Sequence, residues 1–261
     1  MGVDLLHLWS QMGGFAKGVV IVMAIMSVYS VTVMITKLIQ LKKSEAATRR
    51  FAPQFSRAIQ EENLDQAIQE LKAAIAINDK IADLHLNLGF AYRVAGENDL
   101  AVDELLAAYA LSPTDSNIPT EIAFAYANEG QFGKASQYAE DAVKIDPTNP
   151  RMHGNLGIMY YRNSELDKAV PALALAVRGG TTTDGVVVEG QPLDYGKVAE
   201  YYWFYGFALA KNNMCAEAVP VFQALLSGVP DDQLAVDNAT AGLELCLVSI
   251  ETETPEITPT P

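Results

Sequence analysis

Cysteine and histidine are scarce in this chain of 261 residues, and this limits the chemistry that it can support. The only two cysteines, Cys215 and Cys246, stand 31 residues apart, a spacing that fits no metal-binding motif. We expect both to be reduced thiols that pack as small apolar side chains, although an oxidising compartment would allow a disulfide between them. The three histidines are too dispersed to form a metal site, so we expect no metal and no cofactor.

Sequence motifs of catalysis are absent as well. The chain has no phosphate-binding loop, no Gly-x-Gly-x-x-Gly sequence and no order of Ser, His and Asp with the spacing of a catalytic triad. We therefore predict that the protein is not an enzyme.

Basic residues are few in the carboxyl-terminal two thirds of the chain. Residues 82–261 contain 9 Lys and Arg against 25 Asp and Glu, so this part has a net charge of −16. Proteins bind the phosphate backbone of nucleic acid through Lys and Arg, whereas a surface with this negative charge repels the phosphates. The composition therefore excludes nucleic acid as a partner that is held through its phosphates.

Long uncharged runs are rare too, and the single example lies between Gly18 and Thr36. As a helix it would span roughly 28 Å, close to the thickness of the hydrocarbon layer of a bilayer. Six basic residues follow the run, whereas Asp4 and Lys17 are the only charged residues before it; the six are Lys37, Lys42, Lys43, Arg49, Arg50 and Arg57. We predict a single-pass protein of the inner (plasma) membrane, with its amino terminus outside and its repeats in the cytoplasm.

A repeat of 34 residues dominates what the sequence does contain. Counted from Ala82, positions 7, 8, 11, 15, 20, 27 and 32 hold Leu88, Gly89, Tyr92, Gly96, Ala101, Ala108 and Pro113; counted from Ser116, they hold Ile122, Ala123, Tyr126, Gly130, Ala135, Ala142 and Pro147. Small residues in such a pattern let two helices touch, and the proline stops the second helix. The pattern resembles the tetratricopeptide repeat (TPR) family, which implies a solenoid of helix pairs.

The same count divides the chain into segments. We predict an interfacial segment and transmembrane helix at 1–45 (span about 18–36), a basic linker and half repeat at 46–81, three TPR repeats at 82–178, an insertion at 179–198, a fourth repeat at 199–232, a capping helix at 233–250 and a disordered tail at 251–261. Valines at 186–188 suggest a short strand in the insertion, which we expect to be ordered at the groove rim. The predicted fold is all-α: one transmembrane helix, then a TPR α-solenoid with a short irregular insertion and a capping helix.

The TPR resemblance implies a binding surface along the concave groove. In that family, positions 2, 5, 9, 12 and 13 of each first helix line the groove; carried onto this chain they give Phe90, Arg93, Phe124, Asn128, Arg151, Ile158, Tyr161, Arg162, Trp203, Phe207 and Lys211. Cations beside aromatic residues suit an extended or helical peptide that carries a carboxylate, although the phenylalanines would equally serve as packing residues. His85 and His153 share position 4, which packs between helices in TPR units, so we interpret both as structural.

The first seventy residues carry a second resemblance. The segment DLLHLWSQMGGFAKGVVIVMAIMSVYSVTVMITKLIQLKKSEAATRRFAPQFSRAI resembles the amino-terminal part of the ExbB/TolQ/MotA proton-channel family, in which a short outer helix precedes the first membrane helix. The later membrane helices of that family, which carry its proton path, have no counterpart here. Two hypotheses follow: a membrane-anchored scaffold that binds a protein or peptide at the cytoplasmic membrane face, or an accessory or truncated subunit of an ExbB/TolQ-type ion-driven transport complex, with multi-span channel subunits as partners.

Overall fold

The computed structural model describes residues 64–253, and it describes side chains up to residue 247. Within this range the chain forms ten helices and one two-stranded sheet. In chain order these are α1 (Leu64–Ile77), α2 (Ala82–Ala95), α3 (Asn98–Leu111), α4 (Asn117–Asn128), α5 (Phe132–Ile145), α6 (Pro150–Arg162), α7 (Leu166–Arg178), β1 (Gly180–Thr181), β2 (Val187–Val188), α8 (Lys197–Lys211), α9 (Cys215–Gly228) and α10 (Gln233–Glu253).

The helices pack in sequential order, as in a solenoid. Each first helix contacts the second helix of its own repeat (α2 with α3, α4 with α5, α6 with α7, α8 with α9), and each second helix contacts the first helix of the next repeat. The first helices α2, α4, α6 and α8 also contact one another in sequence, so they form one continuous face. The all-α solenoid predicted from the repeat is therefore confirmed for the part of the chain that the structure describes.

Glycine at repeat position 8 makes the close approach of paired helices possible. A Cβ atom on Gly89 would lie 2.5 Å from Cγ of Leu105, and one on Gly157 would lie 2.5 Å from Cγ of Leu173. Real Cβ atoms do not approach so closely, so only glycine fits opposite these leucines. In the second repeat the same two positions hold Ala123 and Ala139, both buried, so two methyl groups stand where the other repeats combine a glycine with a larger side chain.

The turn inside each repeat needs a left-handed residue at position 15. Gly96 and Gly130 adopt it with φ of 83° and 73°, and the third and fourth repeats place Ser164 and Asn213 there with φ of 62° and 60°. Glycine has this conformation without cost, whereas a serine pays a steric penalty for it. The four repeats thus keep one backbone geometry although the sequence at this position changes.

The insertion after the third repeat is ordered and contains a small hairpin. Gly180 pairs with Val188 and Thr181 with Val187, in antiparallel register. The segment after the hairpin is fixed to the neighbouring helices, because the amide of Gln191 donates to the carbonyl of Ala176 at 2.8 Å and the hydroxyl of Tyr202 donates to the carbonyl of Gln191 at 2.9 Å. The strand suggested by the valines exists.

The carboxyl-terminal helix α10 covers α8 and α9, as a capping helix should. It extends to Glu253, three residues beyond the predicted end, and residues 254–261 of the predicted tail lie outside the described residues. Our expectation of two reduced thiols is wrong, because Cys215 and Cys246 form a disulfide between the last repeat and this helix. Sequence spacing could not show this, since it is the packing of α10 on α9 that brings the two Cα atoms to 5.4 Å.

The predictions for residues 1–63 fall outside the described residues. They include the membrane span at 18–36, the basic linker and the ExbB/TolQ-like segment. Among the helices that the structure does describe, none has the length and apolar character that crossing a bilayer requires.

Candidate functional site

A pocket of about 400 Å³ opens on the face formed by the first helices of the four repeats. We call it the groove pocket, and it is lined by Arg93, Asn117, Thr120, Glu121, Phe124, Asn149, Arg151, Met152, Asn155, Lys197 and Tyr201. Asn117 and Lys197 are the first residues of α4 and α8, and Asn149 caps the amino terminus of α6. Three helix amino termini therefore meet at the pocket, and their dipoles favour an anion there.

The floor of the groove pocket contains a buried amide that is half satisfied. The hydroxyl of Tyr201 donates to Oδ1 of Asn155 at 2.9 Å, and the side chain of Asn155 is 8% exposed. No acceptor for Nδ2 of Asn155 exists among the described residues. Gly154 makes the arrangement possible, because a Cβ atom at that position would lie 2.6 Å from the Tyr201 ring. The pocket is thus lined by an amide whose N–H groups are free to donate to a ligand.

One wall of the groove pocket is an ion pair stacked on aromatic rings. Nε and a terminal nitrogen of Arg93 both lie 2.9 Å from Oε2 of Glu121, and each side chain is 19% exposed. The guanidinium also lies over the rings of Phe90 and Phe124, with distances of 5.0 and 5.6 Å to their centroids. These contacts fix Arg93 in the groove.

The other two cations of the pocket, Lys197 and Arg151, differ in whether a carboxylate is paired with them. Nζ of Lys197 lies 2.7 Å from a carboxylate oxygen of Glu200, and it also lies over Phe124 and Tyr201 at 5.1 and 5.6 Å. Arg151 is exposed and has no carboxylate partner among the side chains of residues 64–247. Arg151 is therefore the pocket cation that is open to an anionic ligand.

Burial changes the acid–base behaviour of two groups in the pocket. Burial raises the pKa of Glu121 above its ordinary value, and the adjacent Arg93 guanidinium only partly opposes this. Burial likewise raises the pKa of Tyr201 to about 12, against the opposing effect of Arg151. Tyr201 therefore remains a protonated donor to Asn155 throughout the neutral range.

The structure separates the predicted groove residues into groups. Arg93, Phe124 and Arg151 line the groove pocket, and Phe90 supports Arg93 from below. Asn128 instead bonds to Oδ1 of Asn98 at 3.2 Å, at the carboxyl end of α4.

Three further predicted residues form a separate edge cluster, which we define as Tyr161, Arg162 and Lys211 with Phe132 and Phe204. Lys211 lies over the Tyr161 ring at 4.7 Å, and Arg162 lies over Phe204 and Phe132 at 5.8 and 6.0 Å. Tyr161 and Phe204 meet edge to face at 5.2 Å. None of the five lines the groove pocket.

Three predicted groove residues, Ile158, Trp203 and Phe207, do not line the groove pocket. Ile158 is 2% and Trp203 is 7% exposed, and Phe207 packs edge-on against the core residue Phe222 at 5.4 Å. Ile158 lies on α6, which packs between α4 and α8 and is buried over residues 152–160.

Several pocket residues escaped the sequence reasoning. Thr120 stands at position 5 and Asn117 at position 2, both on the family's groove positions, but neither is in the predicted set. Glu121 and Asn155 share position 6, which was not considered. Polar residues at positions 2, 5 and 6 of successive first helices were the signal that could have identified this pocket.

The two repeat histidines are structural, as predicted. His85 is 8% and His153 is 4% exposed, and Nε2 of each lies within 3.0 Å of the carbonyl oxygen six residues earlier, on Asp79 and Pro147 respectively. Nδ1 of His85 also lies 2.7 Å from Glu104. Both imidazoles tie the turn before a first helix to that helix. Among the described residues, no group of three or more His, Cys, Asp or Glu side chains is arranged to hold a metal ion.

Comparison with known proteins identifies the repeat. Residues 58–94 match the family model described as TPR repeat, and residues 121–182 match the model described as Tetratricopeptide repeat. No curated protein matches the chain significantly.

Solved structures share the fold at low sequence identity. The thermophilic TPR protein TTC0263 of Thermus thermophilus is 16% identical, with a TM-score of 0.54 over 77% of this chain and 99% of its own. MamA 41-end from Desulfovibrio magneticus RS-1 is 14% identical, with a TM-score of 0.51 over 80% and 98%. YrrB, described as a TPR protein with an unusual peptide-binding site, is 19% identical, with a TM-score of 0.51 over 72% and 94%. The chain therefore contains tetratricopeptide repeats, folded as an all-α solenoid.

Proposed function

We propose that this protein is a membrane-anchored TPR scaffold whose groove pocket binds a protein partner through an extended peptide that bears a carboxylate. The repeats present the pocket, and the uncharged run at 18–36 anchors them to the membrane. The partner supplies an acidic side chain or a chain terminus, and the protein carries out no reaction on it.

The observation that carries this proposal is the pairing of Asn155 with Arg151. Asn155 lines the pocket, its Oδ1 accepts a hydrogen bond from Tyr201, and its Nδ2 donates to no other residue that the structure describes. Arg151 lines the same pocket and forms no ion pair with any carboxylate in the part of the chain that the structure describes. A carboxylate accepts hydrogen bonds from an amide N–H and from a guanidinium, so one ligand group would engage both residues at once.

The charge of the groove pocket agrees with such a ligand although the domain as a whole is acidic. Three cations and one carboxylate line it, whereas residues 82–261 have a net charge of −16. The single carboxylate, Glu121, is held against Arg93. The negative surface around the pocket repels acidic peptides, whereas the positive pocket attracts a carboxylate. An acidic peptide is therefore held only where its carboxylate reaches the pocket.

The fold is compatible with peptide binding in the groove. YrrB, which shares this fold, is described as having an unusual peptide-binding site. At 19% identity this comparison concerns the fold alone, so the pocket residues of the present chain remain the support for the proposal.

Anchoring would give the scaffold its cellular advantage. A tethered groove is confined to a thin layer at the membrane, where the effective concentration of a second tethered partner reaches the millimolar range if the geometry permits contact. The side of the membrane that the repeats face is a separate question, because the flanking charges and the disulfide give opposite answers.

The alternative hypothesis, an accessory subunit of an ExbB/TolQ-type complex, rests on residues 1–70 alone. No contact among residues 64–247 favours it. Co-purification of a multi-span subunit with the full chain in mild detergent would support this alternative.

A random peptide array probed with the purified full chain tests the proposed function. We expect the bound peptides to be enriched in Asp and Glu, and replacement of the acid by its amide to abolish binding. Arg151→Ala should weaken binding at least about tenfold, the effect of losing one charge-assisted hydrogen bond. Glu121→Gln should strengthen it, because Arg93 is then released toward the ligand.

Arg162→Ala is the matched control, since it removes an arginine from the edge cluster and leaves the groove pocket intact. Its peptide binding should equal that of the unaltered protein. Bound peptides without acidic preference, or equal losses in the two arginine variants, would contradict the assignment of the pocket.

A further inference from the structure

The disulfide closes a helical hairpin at the end opposite its turn. Cys215 is the first residue of α9, and Cys246 lies on α10 after the short turn at 229–232 that joins the two helices. The turn connects one end of the pair and the Cys215–Cys246 bond connects the other. The last repeat and its capping helix are therefore covalently closed.

The bond is buried on the side of Cys246, where α10 packs very closely. Cys246 is 1% exposed, and Gly242, one turn earlier, approaches Phe222 so closely that an added Cβ atom would lie 2.1 Å from the ring. Reductants act by attack of a thiolate on a sulfur atom, which needs access along the bond axis. Once formed, this disulfide is shielded from one side by the core of the cap.

We infer that the repeat domain folds in an oxidising compartment, on the side of the membrane away from the cytoplasm. Disulfides persist in secreted and periplasmic proteins and are rare in the cytosol, where thioredoxin and glutathione keep thiols reduced. The sequence contains two cysteines in total, and both are consumed in this one structural bond. They form no Cys-x-x-Cys pair, which would be typical of a cytosolic redox site.

Closure of the bond requires a two-electron oxidant, and we take this to be a disulfide-bearing oxidoreductase of that compartment. The thiolate of the partly exposed Cys215 attacks the disulfide of the oxidant and forms a mixed disulfide, releasing one thiol of the oxidant. The thiolate of Cys246 then displaces the second. Two protons and two electrons leave the cysteines, and the oxidant ends as a dithiol.

This inference reverses the orientation expected from the charges around residues 18–36. The positive-inside rule is a statistical bias, and long domains are translocated largely regardless of their charge. A buried bond between two cysteines on packed helices is the more specific observation. The inference does not rest on the proposed peptide binding, so either can fail without the other.

Thiol trapping tests the inference. Cells that produce the full chain are quenched in acid, and the protein is treated with a polyethylene-glycol maleimide with and without prior reduction. We expect no shift in gel mobility without reduction and a shift of two equivalents after it. The Cys246→Ser variant, which shifts by one equivalent after reduction, calibrates the gel.

Protease accessibility then shows on which side of the membrane the repeats lie. With the outer layers permeabilised and the plasma membrane intact, the repeats should be digested while a cytoplasmic marker protein stays whole. Modification of both thiols without reduction would overturn the inference. Oxidised thiols in repeats that the protease cannot reach would overturn it too, because the bond would then have formed in the cytoplasm.

Discussion

At the residue scale, the third and fourth repeats show how one backbone conformation tolerates unfavourable side chains. Ser164 and Asn213 adopt the left-handed conformation that Gly96 and Gly130 provide in the earlier repeats. Asparagine is a common residue in this conformation, whereas serine is not. Ser164 is therefore the most strained of the four positions.

Ser164→Gly should raise the free energy of unfolding by about 0.5–1 kcal/mol, because the removed steric penalty exceeds the added chain entropy of glycine. Urea denaturation of the full chain in detergent measures it. Gly130→Ser introduces the same penalty in the second repeat and should lower the free energy of unfolding by a similar amount. Effects of the same sign in the two variants would contradict the argument.

Glu121 gives the stability a pH dependence with a defined sign. Because burial raises its folded-state pKa, the folded chain holds this proton more tightly than the unfolded chain does. The resulting stabilisation is fully present below the unfolded pKa, about 4.5, and is lost as the pH rises through the raised folded pKa. Glu121→Gln should therefore be more stable than the unaltered protein at pH 7, with the difference vanishing in acid. Thermal denaturation across this range measures it, and a less stable variant at pH 7 would contradict the burial argument.

At the scale of the helix pair, the side-chain volume at repeat position 8 compensates the volume at position 24, which holds Leu105, Ala139 and Leu173 in the first three repeats. The third repeat combines Gly157 with Leu173, and the second combines Ala123 with Ala139. Each combination fills the space where the two helices cross. The pairing explains why the second repeat tolerates alanine where the other three have glycine.

Gly157→Ala alone should cost about 1–3 kcal/mol, because its methyl group would overlap Leu173. In a Leu173→Ala background the same substitution should be neutral or stabilising, since alanine then fills part of the cavity and favours the helix. A double-mutant cycle by chemical denaturation measures this reversal of sign. Additive effects would show that the two positions do not share one space.

The sequence predicted the elements better than it predicted the site, for a physical reason. Helix pairs follow from a local 34-residue pattern, so the turns at Gly96 and Gly130 could be located from the sequence alone. The pocket combines side chains from four repeats, and its geometry depends on how the first helices stack. That stacking places Asn155, but not Trp203, on the lining of the pocket, which a table of repeat positions cannot show. The disulfide was missed for the same reason.

At the scale of the whole molecule, the solenoid depends on its closed end. Each repeat is stabilised mainly by its neighbours, so an open terminal repeat would expose the apolar faces of α8 and α9. Helix α10 covers both, and the Cys215–Cys246 bond closes a 31-residue segment around that contact.

Loss of this bond should destabilise the repeat array. Paired Cys215→Ser and Cys246→Ser substitutions should lower the free energy of unfolding by roughly 3–4 kcal/mol, the chain-entropy value for a loop of this length. Denaturation with and without reductant measures it. The unaltered protein should lose a similar amount on reduction, whereas the double variant should not respond. If reductant also lowered the free energy of unfolding of the double variant, the loss would have a cause other than this disulfide.

The central claim is that the groove pocket recognises a carboxylate through Asn155 and Arg151. The most direct measurement is nuclear magnetic resonance of the ¹⁵N-labelled full chain in detergent micelles, titrated with an acidic peptide selected on the array. Binding should shift the side-chain amide signal of Asn155 and the guanidinium signal of Arg151, and the amide-substituted peptide should shift neither. Shifts confined to the edge cluster of Tyr161, Arg162 and Lys211, or an unchanged Asn155 signal with bound peptide, would contradict the account.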